Sequence, residues 1–540
     1  MRRNLERLAN EEFDLLLIGG GVTGACIARD AAMRGMTVAL IEKKDFANAT
    51  SAHNSKLIHG GLRYLRNFEF GLVRESLRER RTWQRIAPHL VQPLPFLIPM
   101  SGGSAKDRAT MSAGLTLYDL LSFDRTWLDD PDQRLPRHRW LNRRDAIARE
   151  PILDQKGFDG AFLYYDAQMF SPERLALENI LDAAAHGAAV ANYVEAESLL
   201  IREARAKGAR VRDAGNGAEF DIRAKLTIIT AGPWADIFLA RALGKPSSHK
   251  LLRSKGIHVV VPSITRSCAL TIAANGGHFF VLPWRGHSLL GTTDSKFIGP
   301  PDAVHVNAHD IRDFLSIVDT HLPLANLQPE AVQFFYAGLR PLVDDGTGDT
   351  YDASRRAEVV DHCKDDKVDG LLSAIGGKWT TSRALAETVV DAAVAKLGVR
   401  APHCATATTP LPGGLTGRFR DFVKGERQRH PTLPSIEYLS RLYGARLPAL
   451  LDHEPDRELL QPVGTNGDIN AQILFSIQEE QALTLEDVVM RRTSIGQLGK
   501  PSAETINQWA QMMAAELVWI NEHQAREIAP LNRNCTLLSE

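Results

Sequence analysis

The sequence predicts an α/β fold up to about residue 404 and an all-α domain over residues 405–540. Two observations indicate this division. A strand–turn–helix–strand unit opens the chain at about residue 14, and short strand patterns recur until about residue 375. Prolines and glycines at residues 410–414 then indicate a linker, after which only helix-like segments follow.

The opening unit comprises residues 14–45. Residues 15–18 form a continuous apolar run that ends at three glycines, which is typical of a buried parallel strand. Residues 25–33 are rich in alanine and end just before Gly35, so they predict a helix with a glycine at its carboxyl end. Residues 37–41 predict a second strand, with Glu42 at its tip. The chain therefore begins with a β-α-β unit.

The glycines of this unit match a dinucleotide-binding fingerprint. Gly19, Gly21 and Gly24 have the G-x-G-x-x-G spacing, which permits a tight turn and a close approach of the backbone to a pyrophosphate. Glu42 follows at roughly the 20-residue distance at which an acid accepts hydrogen bonds from a ribose. The motif alone is weak, but strand, helix and acid together favour a nucleotide site over an ordinary turn.

Two later turns favour FAD over a nicotinamide cofactor. Ala231 and Gly232 follow an apolar run at residues 226–230, and Gly376, Gly377 and Lys378 follow another at residues 371–375 and precede a helix. FAD is long and is commonly held by segments that return from distant parts of the chain, whereas a nicotinamide nucleotide sits on one compact domain. The alternative interpretation of each turn is an ordinary strand–helix connection.

The remaining elements follow from periodicity and capping residues. Residues 69–85 predict a solvated amphipathic helix, and residues 100–150 predict an irregular insertion rich in arginine, aspartate and proline. Residues 171–186 predict a helix capped by Ser171. Residues 190–230 alternate like hairpin strands, and short strands are expected at 257–261, 279–282 and 288–290. A capping box at residues 484–487 predicts a helix start in the carboxyl-terminal domain.

Composition excludes several classes of protein. The 540 residues include 64 Lys+Arg and 65 Asp+Glu, and a net charge of −1 argues against nucleic acid as a partner. Five widely spaced cysteines indicate neither a disulfide framework nor a zinc site, so no metal is expected and a reducing compartment fits best. No apolar stretch approaches the 18 or so residues of a membrane span, and no secretory signal is visible. A cytoplasmic location is therefore expected.

A polar and glycine-rich stretch follows Glu42 and carries a family resemblance. Residues 55–65 read SKLIHGGLRYL and resemble the corresponding stretch of FAD-dependent, aerobic, quinone-linked glycerol-3-phosphate dehydrogenases. Residues 291–294 (GTTD), 337–342 (AGLRPL), 376–381 (GGKWTT) and 484–493 (TLEDVVMRRT) resemble the same family. The likeness spans nearly the whole chain, so the sequence is identified as a member of this family.

The resemblance implies a fold more specific than α/β. It implies an FAD-binding Rossmann-like domain of the D-amino-acid-oxidase or glutathione-reductase type, an antiparallel-sheet substrate cap and an all-α carboxyl-terminal domain. In this sequence the FAD-binding parts are expected at about 10–90, 150–250 and 335–404. The cap is expected mainly at about 91–149 and 251–334, and the carboxyl-terminal domain at 405–540.

The resemblance also implies a reaction and its partners. The expected enzyme oxidises sn-glycerol 3-phosphate to dihydroxyacetone phosphate, with FAD as hydride acceptor and a membrane quinone as electron acceptor. Peripheral attachment to the cytoplasmic face of the inner membrane is expected with it, and a homodimer is considered. The apolar segment at residues 111–123, flanked by Arg108 and Arg125, fits either an interfacial helix or core packing.

The fingerprint and the resemblance together imply the site residues. The expected FAD contacts are Gly19, Gly21, Gly24, Glu42, Thr50, Ser51, Lys56, His59, Gly60, Gly61, Arg63, Ala231, Gly232, Gly376, Gly377, Lys378 and Thr380. The expected catalytic residues are His258, His59, Arg340 and Lys378, with His258 favoured over His59 as the base. Substrate contacts are expected from Arg63, Tyr64, His258, Arg340 and Arg355, because arginine suits a phosphate dianion.

One departure from the family leaves the substrate open. Where the family carries a T-R-D-Y-like stretch, this chain reads Ser354-Arg355-Arg356-Ala357, which keeps the arginine and loses the acid and the tyrosine. The alternatives are the same chemistry on another polyol phosphate, such as a tetritol phosphate, or an FAD oxidase that uses oxygen. An amine or amino-acid oxidase on the same fold and a non-catalytic flavoprotein also stay open, although residues 55–65 and 337–342 weigh against an amine substrate.

Overall fold

The structure of the chain is a computed structural model that describes residues 1–102, 105–274, 277–343, 357–453, 457–464 and 466–534. Elements are numbered along the chain. Within these ranges the helices are α1 (Leu5–Asn10), α2 (Val22–Met33), α3 (Phe70–Ile86), α4 (Ala105–Leu121), α5 (Arg143–Arg149), α6 (Pro172–Ala185), α7 (Ala235–Leu243), α8 (Ala308–His321), α9 (His362–Asp365), α10 (Ser382–Leu397), α11 (Phe419–Arg429), α12 (Ile436–Tyr443), α13 (Leu447–His453), α14 (Ala471–Glu480), α15 (Leu485–Asp487), α16 (Ala503–Leu517) and α17 (Asn521–Asn534).

Two large sheets form the α/β part. In the described ranges, the first sheet contains β1 (Glu12–Ile18), β2 (Val38–Ile41), β7 (Ala189–Ala191), β8 (Val194–Arg202), β9 (Arg205–Asp213), β10 (Glu219–Ile229), β17 (Ala357–Asp361) and β18 (Leu371–Gly376). The second contains β3 (Leu57–Ile58), β4 (Val91–Ser101), β5 (Arg139–Asn142), β6 (Phe158–Met169), β11 (Leu251–Pro262), β12 (Ala269–Ala274), β13 (Gly277–Trp284), β14 (His287–Gly291), β15 (Ser295–Lys296) and β16 (Phe334–Val343).

The predicted β-α-β unit is confirmed. Strand β1 pairs in parallel with β2, with Leu15 opposite Val38, and with β10, with Leu15 opposite Leu226. Strand β18 extends this parallel set by pairing with β10. Helices α2, α6 and α10 bury their apolar residues in one core cluster with the strands. The carboxyl ends of β18, β10, β1 and β2 therefore meet at one edge of the sheet, where parallel sheets bind their ligands.

The second sheet is largely antiparallel, as the cap prediction requires. Strands β11, β13, β14 and β16 pair in antiparallel fashion, and β4 pairs with β6 in the same way. Its apolar face packs on α8. Strands β3, β6 and β16 lie in this second sheet, although the sequence division places their residues in FAD-binding parts.

Residues 419–534 are mostly helical, which agrees with the all-α prediction for the carboxyl-terminal domain. One ladder of two short strands, β19 (Pro462–Val463) and β20 (Asp468–Ile469), interrupts the helices. The predicted capping box is present, because the Thr484 and Asp487 side chains each bond to the other's backbone N–H at the start of α15. The boundary at residue 405 stays a proposal.

The expectation of a solvated helix at residues 69–85 is wrong in one respect. The helix forms as α3, but Glu79 and Arg80 on it are buried. Arg383 Nε donates to Glu79 at 2.6 Å, and Arg80 donates to Asp166. Charged residues predicted to face water are instead paired with remote partners, and pairing is what allows charges to be buried.

The expectation of an irregular segment at residues 100–150 is also wrong. Residues 105–121 form α4, and α5 follows β5. The composition of residues 100–150 as a whole did not indicate this helix. The prolines of the segment lie after residue 130, and α4 itself contains none. Leu115 and Tyr118 on α4 pack into a core cluster with Leu72 and Val73 of α3. Among the described helices, none is long and apolar enough to cross a bilayer.

Candidate active site

A cavity of about 770 Å³ lies at the carboxyl ends of the parallel strands. Its wall includes many residues predicted to hold the cofactor, namely Gly19, Gly21, Glu42, Thr50, Ser51, Lys56, Ala231, Gly232, Gly376, Gly377 and Lys378. These residues come from four separate segments of the chain. The structure thus brings the fingerprint and both later turns to one cavity, which is the arrangement a long dinucleotide needs.

The glycine turn after β1 leaves no room for side chains. Gly19 has φ +121°, and a Cβ atom there would lie 2.6 Å from the carbonyl oxygen of Thr230. A Cβ on Gly24 would lie 2.0 Å from the carbonyl oxygen of Gly19, so the absence of a side chain at Gly24 allows helix α2 to pack against the turn. Gly24 itself does not line the cavity. The close backbone approach fits a pyrophosphate at this turn.

Glu42 lies at the tip of β2 as predicted. Its carboxylate accepts hydrogen bonds from the N–H of Gly20 at 2.7 Å and from the N–H of Lys44 at 3.0 Å. Burial raises the pKa of Glu42. These two bonds hold the carboxylate at the cavity wall, and each oxygen retains capacity for a ribose hydroxyl. The residues present therefore fit FAD.

A buried ion pair forms another part of the wall. Lys56 Nζ donates to Glu173 Oε1 at 2.9 Å and to the carbonyl oxygen of Ala52 at 2.7 Å. Both side chains of the pair are 2% exposed. The attraction of Lys56 lowers the pKa of Glu173 in spite of its burial, so the carboxylate stays charged.

Lys378 brings an unusual cation to the cavity. Its Nζ is buried and has no hydrogen-bond partner among the described residues. It lies 4.5 Å from the centre of the Tyr64 ring. Burial, the largest cause, lowers the pKa of Lys378 to about 7. A buried amine with this pKa can gain or lose its charge near neutral pH.

Five further predicted FAD contacts lie outside the cavity wall, as do the predicted substrate contacts Tyr64, His258 and Arg340; the five are His59, Gly60, Gly61, Arg63 and Thr380. The N–H of Gly60 donates to the hydroxyl of Tyr118 at 2.9 Å, and the Thr380 hydroxyl donates to the carbonyl oxygen of His59 at 3.3 Å. Burial and the charge of Lys378 lower the pKa of His59 to about 3. These residues hold the turn that brings Tyr64 to Lys378, and their contact with the cofactor stays a prediction.

The second sheet supplies the other predicted catalytic groups. Strands β11 and β16 place His258 opposite Tyr336, and Ser254 opposite Arg340. Alternate residues of a strand point to the same face, so all four side chains lie on one face of the sheet. The His258 and Tyr336 rings stack with centroids 5.0 Å apart, and Tyr336 borders the cavity.

Arg340 is held in place by two hydroxyl groups and by an ion pair with Asp294, whose Oδ2 lies 3.5 Å from Nη1. Its Nη1 donates to Ser254 Oγ at 2.8 Å, and its Nη2 donates to Thr292 Oγ1 at 2.6 Å. Space for this arrangement depends on Gly256, where a Cβ atom would lie 2.3 Å from Nη2 of Arg340. A guanidinium oriented in this way can present donors to an anion.

His258 is buried and neutral. Its Nε2 lies 2.9 Å from Ser55 Oγ, and its Nδ1 has no hydrogen-bond partner among the described residues. Burial, followed by the charge of Arg340, lowers the pKa of His258 well below its usual value. A neutral imidazole with an available nitrogen can accept a proton.

Sequence reasoning missed several residues of the site. Ser55 and Thr292 lie within the quoted motifs, but their roles depend on partners from other strands. The pKa of His278 is lowered to about 4 by burial and then by the charges of Arg63 and Arg340. A lone histidine at this position gives no local signal. The predicted substrate contact Arg355 lies outside the described residues.

Two described families match most of the chain. The family described as FAD dependent oxidoreductase matches residues 14–392, and the C-terminal domain of alpha-glycerophosphate oxidase matches residues 404–524. A glycerol-3-phosphate dehydrogenase of Synechocystis sp. is 38% identical over 91% of this chain and 90% of its own length, and one of Mycobacterium leprae is 35% identical over 98% and 88%.

A solved structure shows the same architecture along nearly the whole chain. The glycerol-3-phosphate dehydrogenase of Bacillus halodurans, solved in complex with FAD, superposes with a TM-score of 0.79 at 26% identity and covers 99% of this chain and 97% of that one. The family matches more than half of this chain, and the two relatives are at least 35% identical to it along most of their own length. The chain belongs to the family of FAD-dependent oxidoreductases.

Proposed function

We propose that this protein oxidises sn-glycerol 3-phosphate to dihydroxyacetone phosphate and passes the electrons to a membrane quinone. One observation carries the proposal: Arg340, held by Ser254 and Thr292, lies on the same sheet face as His258. A group that suits a phosphate and a group that accepts a proton are thus presented together. The names of the full-length relatives support the same substrate.

His258 is proposed as the base. In the proposed tautomer Nε2–H donates to Ser55 Oγ, which leaves Nδ1 to take the proton of the substrate's secondary hydroxyl. When bound, FAD accepts the hydrogen of the same carbon together with its electron pair, and a ketone results. The stacked ring of Tyr336 keeps the imidazole of His258 in one orientation.

Cations on the cofactor side are proposed to assist. Lys378 lies at the cavity wall, and its Nζ and the guanidinium carbon of Arg63 lie 4.5 Å and 5.3 Å from the centre of the Tyr64 ring. We propose that both favour negative charge that develops beside the flavin ring and orient the carbinol. Arg340, together with Arg355, is proposed to hold the substrate phosphate.

A contact with a membrane, where the proposed quinone would be met, is proposed from the exposed surface of α3, of α4 and of the segment that follows α4. Four large apolar side chains on this surface have exposed fractions between 41% and 66%. We call these four residues the aromatic patch: Phe70, Leu120, Phe123 and Trp127. Arg74 lies over the Phe123 ring at 4.4 Å. Aromatic side chains beside arginines suit the boundary between lipid headgroups and acyl chains. This exposed apolar area supports a peripheral contact with a membrane.

A substrate screen tests the reaction. The purified holoenzyme is mixed with glycerol 3-phosphate, a tetritol phosphate, glycerol or an amino acid, and with either a quinone-like dye or oxygen as acceptor. We expect glycerol 3-phosphate with the dye to give the highest kcat/KM. A higher value with the tetritol phosphate would contradict the substrate, and efficient turnover with oxygen alone would contradict the acceptor. A homodimer stays a prediction that mass in solution tests.

A further inference from the structure

A stretch of the carboxyl-terminal region reaches the cavity that the amino-terminal glycines border. Glu486, Met490, Arg491 and Gln497 line it together with Gly19 and Glu42. We call residues 486–497 the C-terminal wall. This contact was not expected from the sequence, which places the cofactor entirely within residues 10–404.

Buried ion pairs anchor the C-terminal wall beside the first glycine turn. Asp45, which follows Glu42 closely and is fully buried, accepts from Arg491 Nε at 2.7 Å and from Arg492 Nη1 at 2.8 Å. Asp487 accepts from Arg491 Nη2 at 2.7 Å. Removing one partner of a buried pair leaves an uncompensated charge, so this anchor favours one docked position of the wall.

Gln497 connects the C-terminal wall to the ion pair of the cavity. Its Nε2 donates to Glu173 Oε1 at 3.1 Å, and the same oxygen accepts from Lys56 Nζ at 2.9 Å. All three side chains border the cavity. The C-terminal wall therefore contacts charged groups that border the cavity. It does not pack only against the outer surface of the FAD-binding domain.

The other end of the Gln497 amide lacks a partner. Its Oε1 is buried and accepts no hydrogen bond from the described residues, and the residue is 6% exposed. A buried amide oxygen without a donor destabilises a fold unless a ligand supplies one. FAD carries N–H and O–H donors, so a bound cofactor can satisfy this oxygen.

We infer that the C-terminal wall is part of the FAD site, with Gln497 Oε1 accepting a hydrogen bond from the bound cofactor, and that FAD binding and docking of the wall strengthen each other. Linkage requires this reciprocity, because a ligand that binds only the docked form stabilises it by the same factor by which docking improves binding. The inference concerns the cofactor alone and does not depend on which alcohol the enzyme oxidises.

Hydrogen–deuterium exchange of the full-length apoprotein, with and without added FAD, tests the coupling without any substitution. We expect the backbone amides of residues 486–497 to exchange at least about tenfold more slowly with FAD. The exchange rates of amides on the exposed face of α16 should stay unchanged. Slower exchange at residues 19–24 shows that FAD has bound. If residues 19–24 slow while residues 486–497 keep their rate, the coupling is absent.

A matched pair of variants tests the hydrogen bond. Gln497→Met keeps the length of the side chain and removes the amide, and Gln511→Met makes the same change at an exposed position of α16. We expect the Kd of the apoprotein for FAD to rise about 5- to 30-fold in Gln497→Met and to stay within twofold in Gln511→Met. A Kd within twofold in both would overturn the role of Gln497, and if Gln497→Met does not fold, the exchange experiment still decides the coupling.

Discussion

Ser55 Oγ lies 2.9 Å from Nε2 of His258. This contact joins the segment after the first glycine turn to the second sheet, so the two halves of the site meet at the proposed base. It also orients the imidazole, and in the tautomer whose Nε2–H donates to Ser55 Oγ the other ring nitrogen, Nδ1, is the proton acceptor. The consequence for catalysis can be measured.

Replacing His258 should slow turnover far more than it weakens binding. His258→Gln keeps a polar side chain and removes the basic nitrogen, so kcat should fall by about 10²- to 10⁴-fold. His309→Gln, on the exposed surface of α8, serves as the control and should leave kcat unchanged. Steady-state kinetics with a dye acceptor measure both. A fall of less than tenfold in His258→Gln would show that another group takes the proton.

Acid should destabilise the fold through the buried histidines. Burial lowers the pKa of His53 to about 4 and of His59 to about 3, and that of His258 lies well below its usual value. Below pH 6.5 the unfolded chain therefore binds more protons than the folded chain does. For this reason the free energy of unfolding falls as the pH drops from 7 to 5. Each histidine contributes up to about 2 kcal/mol of this loss at pH 5.

Calorimetry of the wild type and of His258→Gln at pH 7 and pH 5 measures the effect. The melting temperature of both proteins should fall on acidification, and it should fall less in the variant because one of the proton-binding groups is gone. Equal falls in the two proteins would mean that the pKa of His258 is the same in the folded and the unfolded chain, which contradicts a lowered pKa.

The sequence predicts those parts of the fold that depend on local patterns. The run at residues 15–18, the glycines after it and Glu42 lie within one β-α-β unit, so their spacing alone predicts their positions. Glu79 and Gln497 could not be placed in this way. The partner of Glu79, Arg383, is remote in sequence, and Gln497 faces the cavity only because buried ion pairs dock the C-terminal wall. Such contacts leave no periodic signal.

The ionisation of Lys378 should appear in the pH profile. Because its pKa is lowered to about 7, the ammonium loses its charge as the pH rises through that value. We expect kcat/KM for glycerol 3-phosphate to decline above pH 7. Lys378→Arg should abolish the decline, since a guanidinium stays charged. Lys378→Met should have a kcat/KM on the order of 10²-fold lower and no decline. A decline that persists in Lys378→Met would assign it to another group.

The aromatic patch should bind lipid. Leu120→Ser, Phe123→Ser and Trp127→Ser together remove much of its apolar area without touching the cavity. We expect the triple variant to lose most of its sedimentation with vesicles that contain anionic lipid, while its activity with a soluble dye is unchanged. Ile298→Ser, at another exposed apolar position, is the control and should still sediment. If the triple variant sediments like the wild type, the patch is not the membrane contact.

Arg340 offers the sharpest test of the substrate, because only part of the substrate carries the phosphate. Ser254 and Thr292 orient the guanidinium, so it needs little reorganisation to bind an anion. Losing a desolvated phosphate contact should cost on the order of 2–5 kcal/mol, so Arg340→Ala should lower kcat/KM for glycerol 3-phosphate by about 30- to several-thousand-fold. Unphosphorylated glycerol makes no such contact, so its kcat/KM should change by less than about fivefold.

Arg210→Ala, at an exposed arginine paired with Asp221, should affect neither substrate. An unchanged Kd for FAD shows that the Arg340 variant is folded. Equal losses for both substrates would mean that Arg340 supports the site rather than the phosphate, and no loss for either would remove it from the site.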